Sequence, residues 1–305
     1  MCSIRLFGTS SPYRWFGEGN TDHSTCRHRP HGDRRSVLTL RPAVALVGAA
    51  HVIPALAVTA LTAAVAFAAD VEARLVFVLM VAVFSGQLIV GWTNDLIDRD
   101  RDRQVGRTDK PLAAGHLSSR TVTVSVVIAA VVCVVASLAC GVAPGLVHLV
   151  LGVGSALAYN AVLKSTVFSW VPYFVAFGSL PVVVMLTAEP SHLPPLWMVA
   201  VSGLLGVGAH LLNVVPDLGD DAATGIEGLP HLLGARRIPY VAAGLLVGAT
   251  AIAVIANAHM PWLWAGLGAV VVIALATMRA PGRTPFYGAI VIAAVDVTML
   301  VLIAR

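Results

Sequence analysis

Charge is scarce in this sequence. Of its 305 residues only 12% are Asp, Glu, Lys or Arg, against 57% that are hydrophobic. A soluble globular chain carries about 25% charged residues, so a water-soluble domain is excluded and a membrane protein is implied. Lysine is scarcer still, with 2 residues beside 18 arginines. The four cysteines, Cys2, Cys26, Cys133 and Cys140, show neither a zinc spacing nor a disulfide framework. Cys26, His28 and His31 offer weak chelation at most. Residues 1–36 lack an apolar signal core and mix Arg, His, Gly, Ser and Pro, so a disordered cytosolic tail without chemistry is expected there, with residues 37–305 forming the membrane domain.

What is abundant is apolar sequence in runs of about 20 residues, enough to cross a hydrocarbon core at about 1.5 Å per residue. Such runs lie at 43–67, 75–94, 121–140, 145–163, 167–187, 196–216, 238–257, 261–278 and 285–303, which makes nine spans. With the N-terminus in the cytoplasm, 18 of the 20 cations fall inside, and only Arg74 and Arg305 fall outside. The net charge of +4 therefore reflects orientation in the membrane, and no nucleic-acid partner is expected.

The second span runs into N-D-L-I-D-R-D-R-D-R-Q-V-G-R-T-D-K-P-L-A-A-G, from Asn94 to Gly115. If the helix continues past Trp92, Asp95, Asp98 and Asp102 stand at i, i+3 and i+7, within a roughly 60° arc. Asp100 falls about 140° away from Asp95 and should point elsewhere. Carboxylate oxygens on one face suit magnesium, which keeps several waters and takes one or two carboxylates plus substrate phosphates. A metal-held diphosphate follows as the first hypothesis. By itself the run is equally a solvated cap on a membrane helix. The sixth span, however, ends in N-V-V-P-D-L-G-D-D-A-A-T-G, from Asn213 to Gly225, and His210 one turn earlier joins Asn213, Asp217 and Asp221 in a second polar stripe.

Other polar residues inside spans are candidates because polar groups at membrane depth are costly. Gln87 should face a cavity or partner helix, and His51 with Pro54 interrupts the first span. Asp296 in the last span reads as a helix–helix bond or a protonated acid. Ser118 or Ser119 is expected to cap the third span. Both lysines, Lys110 and Lys164, adjoin the carboxylate motifs, where a compact ammonium suits phosphate oxygen. Trp170, Phe174 and Phe177 form an aromatic stripe on the fifth span, read as packing or, if it lines a cavity, as a stabiliser of a carbocation.

These motifs resemble those of the UbiA-type membrane prenyltransferases. The matching residues are Asn94, Asp95, Asp98 and Asp102 followed by Lys110, Pro111 and Gly115; Asp217, Asp221 and Gly225; and Tyr159 with Lys164 at the end of the fourth span. The resemblance implies an all-α fold of about nine transmembrane helices in a ring around a central cavity open to membrane lipid. It implies that Asp95, Asp98, Asp102, Asp217 and Asp221 hold Mg2+ and an isoprenyl diphosphate. Arg41, Asn94, Arg107, Lys110, Tyr159, Lys164, His210 and Asn213 would bind substrate. The expected reaction transfers the isoprenyl group to a hydrophobic acceptor, commonly aromatic or a quinone precursor; a terpene cyclase and a lipid-binding or transport protein are the alternatives. The expected location is a bacterial cell membrane, with the site facing the cytoplasm. One position departs from the family pattern: Glu227 stands where a basic residue usually follows Gly225, so Arg236 or Arg237 is expected to substitute, or the lipid substrate sits differently.

Overall fold

A computed structural model describes residues 42–303, and every regular element among them is helical. The expected tail and Arg41 lie outside the described residues. In chain order the helices are α1 (Pro42–Ala49), α2 (Val52–Ala68), α3 (Ala73–Gln104) and α4 (Ser119–Ala139), then α5 (Val142–Ala161), α6 (Trp170–Thr187) and α7 (Leu196–Ala223). The short α8 (Leu229–Leu233) precedes α9 (Ile238–Ala256), α10 (Leu263–Thr277) and α11 (Thr284–Ile303). Seven of these are long and apolar enough to cross a membrane, while α2 and α10, of 17 and 15 residues, are shorter. All nine expected spans thus recur as apolar helices, the first and eighth in shortened form.

Successive helices pack on one another, and α11 packs on α2, which closes the chain into a ring. Lipid offers no hydrophobic drive for helix association, so close packing has to supply it. The α6–α7 contact shows how: Phe174 and Phe177 lie on Gly203 and Gly206, where an added Cβ would come within 2.7 and 2.6 Å of the rings. On the outer side, Val124, Val127, Ile128, Val131 and Val135 of α4 are exposed, as a lipid-facing surface requires. Ser118 caps this helix, its hydroxyl accepting from the Thr121 amide at 3.0 Å.

The first span is not one continuous helix. A proline inside a helix clashes with the carbonyl four residues back, and for Pro54 that residue is Ala50. The chain breaks there, with His51 in the left-handed region at φ 49°. The released Ala50 carbonyl rests against α3 at Gly91, where a Cβ would lie 2.8 Å from its oxygen. Trp92 fastens the same junction, its Nε1 donating to the Leu46 carbonyl at 3.0 Å. The sequence of α1 and α2 therefore delivers His51 to the wall of the ring's interior.

Asp296 is buried in α11, with neither carboxyl oxygen hydrogen-bonded among the described residues.

Candidate functional site

The ring encloses a cavity of about 540 Å³, within the range of roughly 300 to 1,000 Å³ typical of small-molecule sites. One stripe of α3 lines it over its length: Val83, Gly86, Gln87, Val90, Asn94 and Asp98 recur at helical spacing. At about 1.5 Å per residue the stripe descends some 20 Å from the aspartates into apolar wall.

The wide mouth is polar. Because α3 continues without a break to Gln104, Asp95, Asp98 and Asp102 share its inner face and are 2%, 8% and 9% exposed, whereas Asp100 points out and pairs with Arg99 at 2.8 Å. Pro216 tightens α7 into a 3-10 turn at Val215–Asp217, after which Leu218–Ala223 resumes the helix. The expected stripe survives this change of pitch, since His210, Asn213, Asp217 and Asp221 all line the cavity. Asn94, Arg107, Lys110, Tyr159 and Lys164 line it too. Arg41 is outside the described residues.

The cations tie the two motifs together. Lys110 places its ammonium 3.4 Å from Asp95 Oδ1 and 3.0 Å from Asp102 Oδ2. Burial works against that charge, but Asp95 and Asp102 outweigh it and hold the pKa above the ordinary lysine value. Lys164 is 8% exposed and donates to Asp98, which also takes Arg101 at 3.1 Å. Here burial dominates, and the Lys164 pKa lies below its ordinary value in spite of Asp98. Arg107 bridges the motifs, donating to Asp217 at 2.8 Å and to Asp109 at 2.8 Å. The guanidinium bond pulls the Asp109 carboxyl down to about 2.

One expectation needs correction. Arg236 and Arg237 are exposed and line no part of the cavity, so neither replaces the basic residue absent at Glu227. The residue that turns inward is His231 on α8. Its Nδ1 accepts from the Gly228 amide at 3.1 Å, which leaves the ring proton on Nε2, 3.9 Å from Asp221 Oδ2. Burial lowers the His231 pKa, so at neutral pH this is a neutral N–H donor. The packing reading of the aromatic stripe holds for Trp170 and Phe174, which stay off the cavity, and of the three only Phe177 reaches it. Tyr173 lines it instead, stacked on His210 with centroids 4.2 Å apart, and Tyr159 meets both rings edge-on. Neither His231 nor Tyr173 stood out in the sequence, because a histidine beyond the second motif and a tyrosine one residue off an aromatic stripe carry no spacing signal.

The donor set suits a hard divalent cation. Among the described residues Asp95 Oδ1 and Asp102 Oδ2 are buried without a hydrogen-bond partner, although Lys110 is near both. Among the described residues no three acidic or imidazole ligands converge on one point. Magnesium needs no such cage, since one or two carboxylates, waters and substrate phosphates complete its shell.

A closed ring of membrane helices carrying two carboxylate faces at the mouth of one apolar cavity defines a class of polytopic, all-helical membrane protein. The chain belongs to the UbiA prenyltransferase family, whose model matches residues 52–284; it is an integral membrane protein. Solved structures share the fold at low identity. A UbiA homolog from Archaeoglobus fulgidus bound to GPP and Mg2+ is 14% identical with a TM-score of 0.65, over 85% of this chain and 99% of that one. The apo structure of a UbiA homolog from Aeropyrum pernix K1 is 17% identical with a TM-score of 0.65, over 81% of this chain and 97% of that one. A digeranylgeranylglyceryl phosphate synthase is 13% identical with a TM-score of 0.61, over 86% and 98%. Among curated protein sequences none matches the chain.

Proposed function

We propose that this protein catalyses the magnesium-dependent transfer of an isoprenyl group from an allylic isoprenyl diphosphate to a hydrophobic acceptor, an aromatic compound or quinone precursor. The observation that carries this reading is the assembly of Asp95, Asp98, Asp102, Asp217 and Asp221 with Lys110, Lys164 and Arg107 at the mouth of one apolar cavity. The Archaeoglobus fulgidus homolog, bound to GPP and Mg2+, supports the same pairing of headgroup and metal.

Bound magnesium, held by carboxylates of the two motifs, would supply charge neutralisation to the leaving diphosphate. Lys110 and Lys164, freed by carboxylates that would turn to the metal, donate to phosphate oxygens, and Arg107 and the His231 Nε2–H add donors from the second motif's side. The C1–O bond breaks with its electron pair leaving on the diphosphate. The allylic cation forms beside Tyr159, Tyr173 and Phe177, whose ring faces are worth about 1 to 2 kcal/mol each to a desolvated cation. An acceptor ring carbon then bonds to C1 and loses its proton to an oxygen of the departed diphosphate, while the apolar wall below keeps water from capturing the cation.

The test is binding of geranyl S-thiolodiphosphate, a poorly ionising analogue, to purified protein by calorimetry. Binding is expected with magnesium, is lost on chelation, and weakens at least about tenfold in Asp217→Asn and Asp221→Asn, because each removes a charge from the metal face. Equal binding with and without magnesium would overturn the proposal.

A further inference from the structure

The far end of the cavity carries polar groups that the reaction at the mouth does not use. His148 is 4% exposed, opens the π-helical stretch His148–Gly154 within α5, and lines the cavity together with Gln87. Single π-turns inside α-helices occur frequently at functional sites. The ring lies between two glycines: a Cβ on Gly86 would come 3.4 Å from Cε1 and Nε2, and one on Gly152 would come 3.2 Å from Cδ2. Counting protons fixes the tautomer. The Ser137 hydroxyl lies 2.6 Å from the Cys133 carbonyl oxygen, a separation that requires its proton between them. Ser137 Oγ therefore accepts from His148 Nδ1 at 2.8 Å, and the ring's one proton is on that nitrogen. Nε2 keeps its lone pair and, among the described residues, has no partner.

We propose that this end of the cavity is the acceptor's recognition site, in which His148 Nε2 accepts a hydrogen bond from a hydroxyl of the aromatic acceptor, with Gln87 on the same cavity wall. The assignment rests on the reaction proposed above and follows by elimination among its participants. Diphosphate oxygens are acceptors and are repelled by a lone pair. An isoprenyl chain has no donor at all. The level of Gly86 is nine residues below Asp95, about 13 Å along the helix, too deep for a headgroup held by the carboxylates. A hydroxyl on the acceptor is the complementary group, and a site built around such a bond rejects the analogue lacking it, because the buried nitrogen is then left unpaired.

The probes are 1-naphthol and 1-methoxynaphthalene, which differ in that one donor. Their affinities are measured by naphthalene fluorescence on the full chain in lipid nanodiscs loaded with magnesium and geranyl S-thiolodiphosphate. The naphthol is expected to bind about tenfold tighter or more, and His148→Phe should bring the ratio to about one while leaving magnesium-dependent thiolodiphosphate affinity unchanged. Should His148→Phe misfold, Ser137→Ala, which frees Nδ1 and lets the proton shift, and Gln87→Leu are each expected to lower the ratio. Equal affinities for the two probes in the wild type, or an unchanged ratio in the variants that fold, would overturn the proposal. Thiolodiphosphate that fails to bind while the naphthol preference persists would instead remove the prenyl-transfer reading and leave the hydroxyl site standing.

Discussion

Replacing Lys164 with methionine removes one ammonium and keeps most of the side-chain volume. The group is 8% exposed and donates to Asp98. Asp98 retains Arg101 at 3.1 Å, so no buried charge is stranded and the fold should hold. A hydrogen bond to a charged partner contributes about 1.5 to 3 kcal/mol, and about 1.4 kcal/mol is a factor of ten. Lys164→Met should therefore lower kcat/KM for the diphosphate by roughly 10- to 150-fold, read as diphosphate release at saturating acceptor. Lys164→Arg should restore part of it, since a planar fork replaces a point donor. The pH profile gives an independent check. Burial holds the Lys164 pKa below the ordinary lysine value, so the charged form is lost as pH rises through that lowered value. The wild type should show an alkaline decline that begins below the range of a free lysine, and Lys164→Met should lack it. Wild-type kcat/KM in the methionine variant would refute the role and leave Lys164 as a positive charge marking the membrane boundary.

Asp98→Asn and Asp102→Asn should each abolish turnover while preserving membrane insertion, whereas Asp100→Asn, outside the cavity and paired with Arg99, should stay within about threefold of wild type; equal losses at all three in the same release assay would contradict the single carboxylate face. His231→Phe should raise KM for the diphosphate about tenfold by removing the inward N–H, and Arg236→Ala with Arg237→Ala should leave it unchanged. Gly91→Ala should cost about 1 to 3 kcal/mol, seen as a lower melting temperature in detergent, because its Cβ would meet the Ala50 carbonyl at 2.8 Å.

Much of this arrangement was readable from composition and spacing. The apolar runs located all nine apolar spans, though not the break in the first or the short α8, and i, i+3, i+7 spacing separated Asp95, Asp98 and Asp102 from Asp100. The continuity of α3 made that possible: where a helix keeps its pitch, angle follows from residue number. Legibility failed where pitch or partners change. Proline marked a break in the first span, but only the packing of Ala50 on Gly91 shows that His51 is turned into the cavity. The inward histidine, His231, depends on its Gly228 bond, and Tyr173 depends on which face of α6 meets α7; both are tertiary facts without a local signature. The same holds for His148, whose exposed lone pair follows only from the Ser137–Cys133 bond.

Two carboxylate faces that ionise an allylic diphosphate, with a bound acceptor to capture the cation, make diphosphate release depend on the acceptor. The most direct measurement is diphosphate release by purified protein with magnesium and a series of allylic diphosphates, with and without a hydroxylated aromatic acceptor. Without acceptor, the cation should return to the bound diphosphate in a cavity that excludes water, so release should be slow; with acceptor it should rise strongly and match prenylated product. Abundant release without acceptor, accompanied by cyclic hydrocarbon or alcohol products, would contradict transfer and make the protein a cyclase.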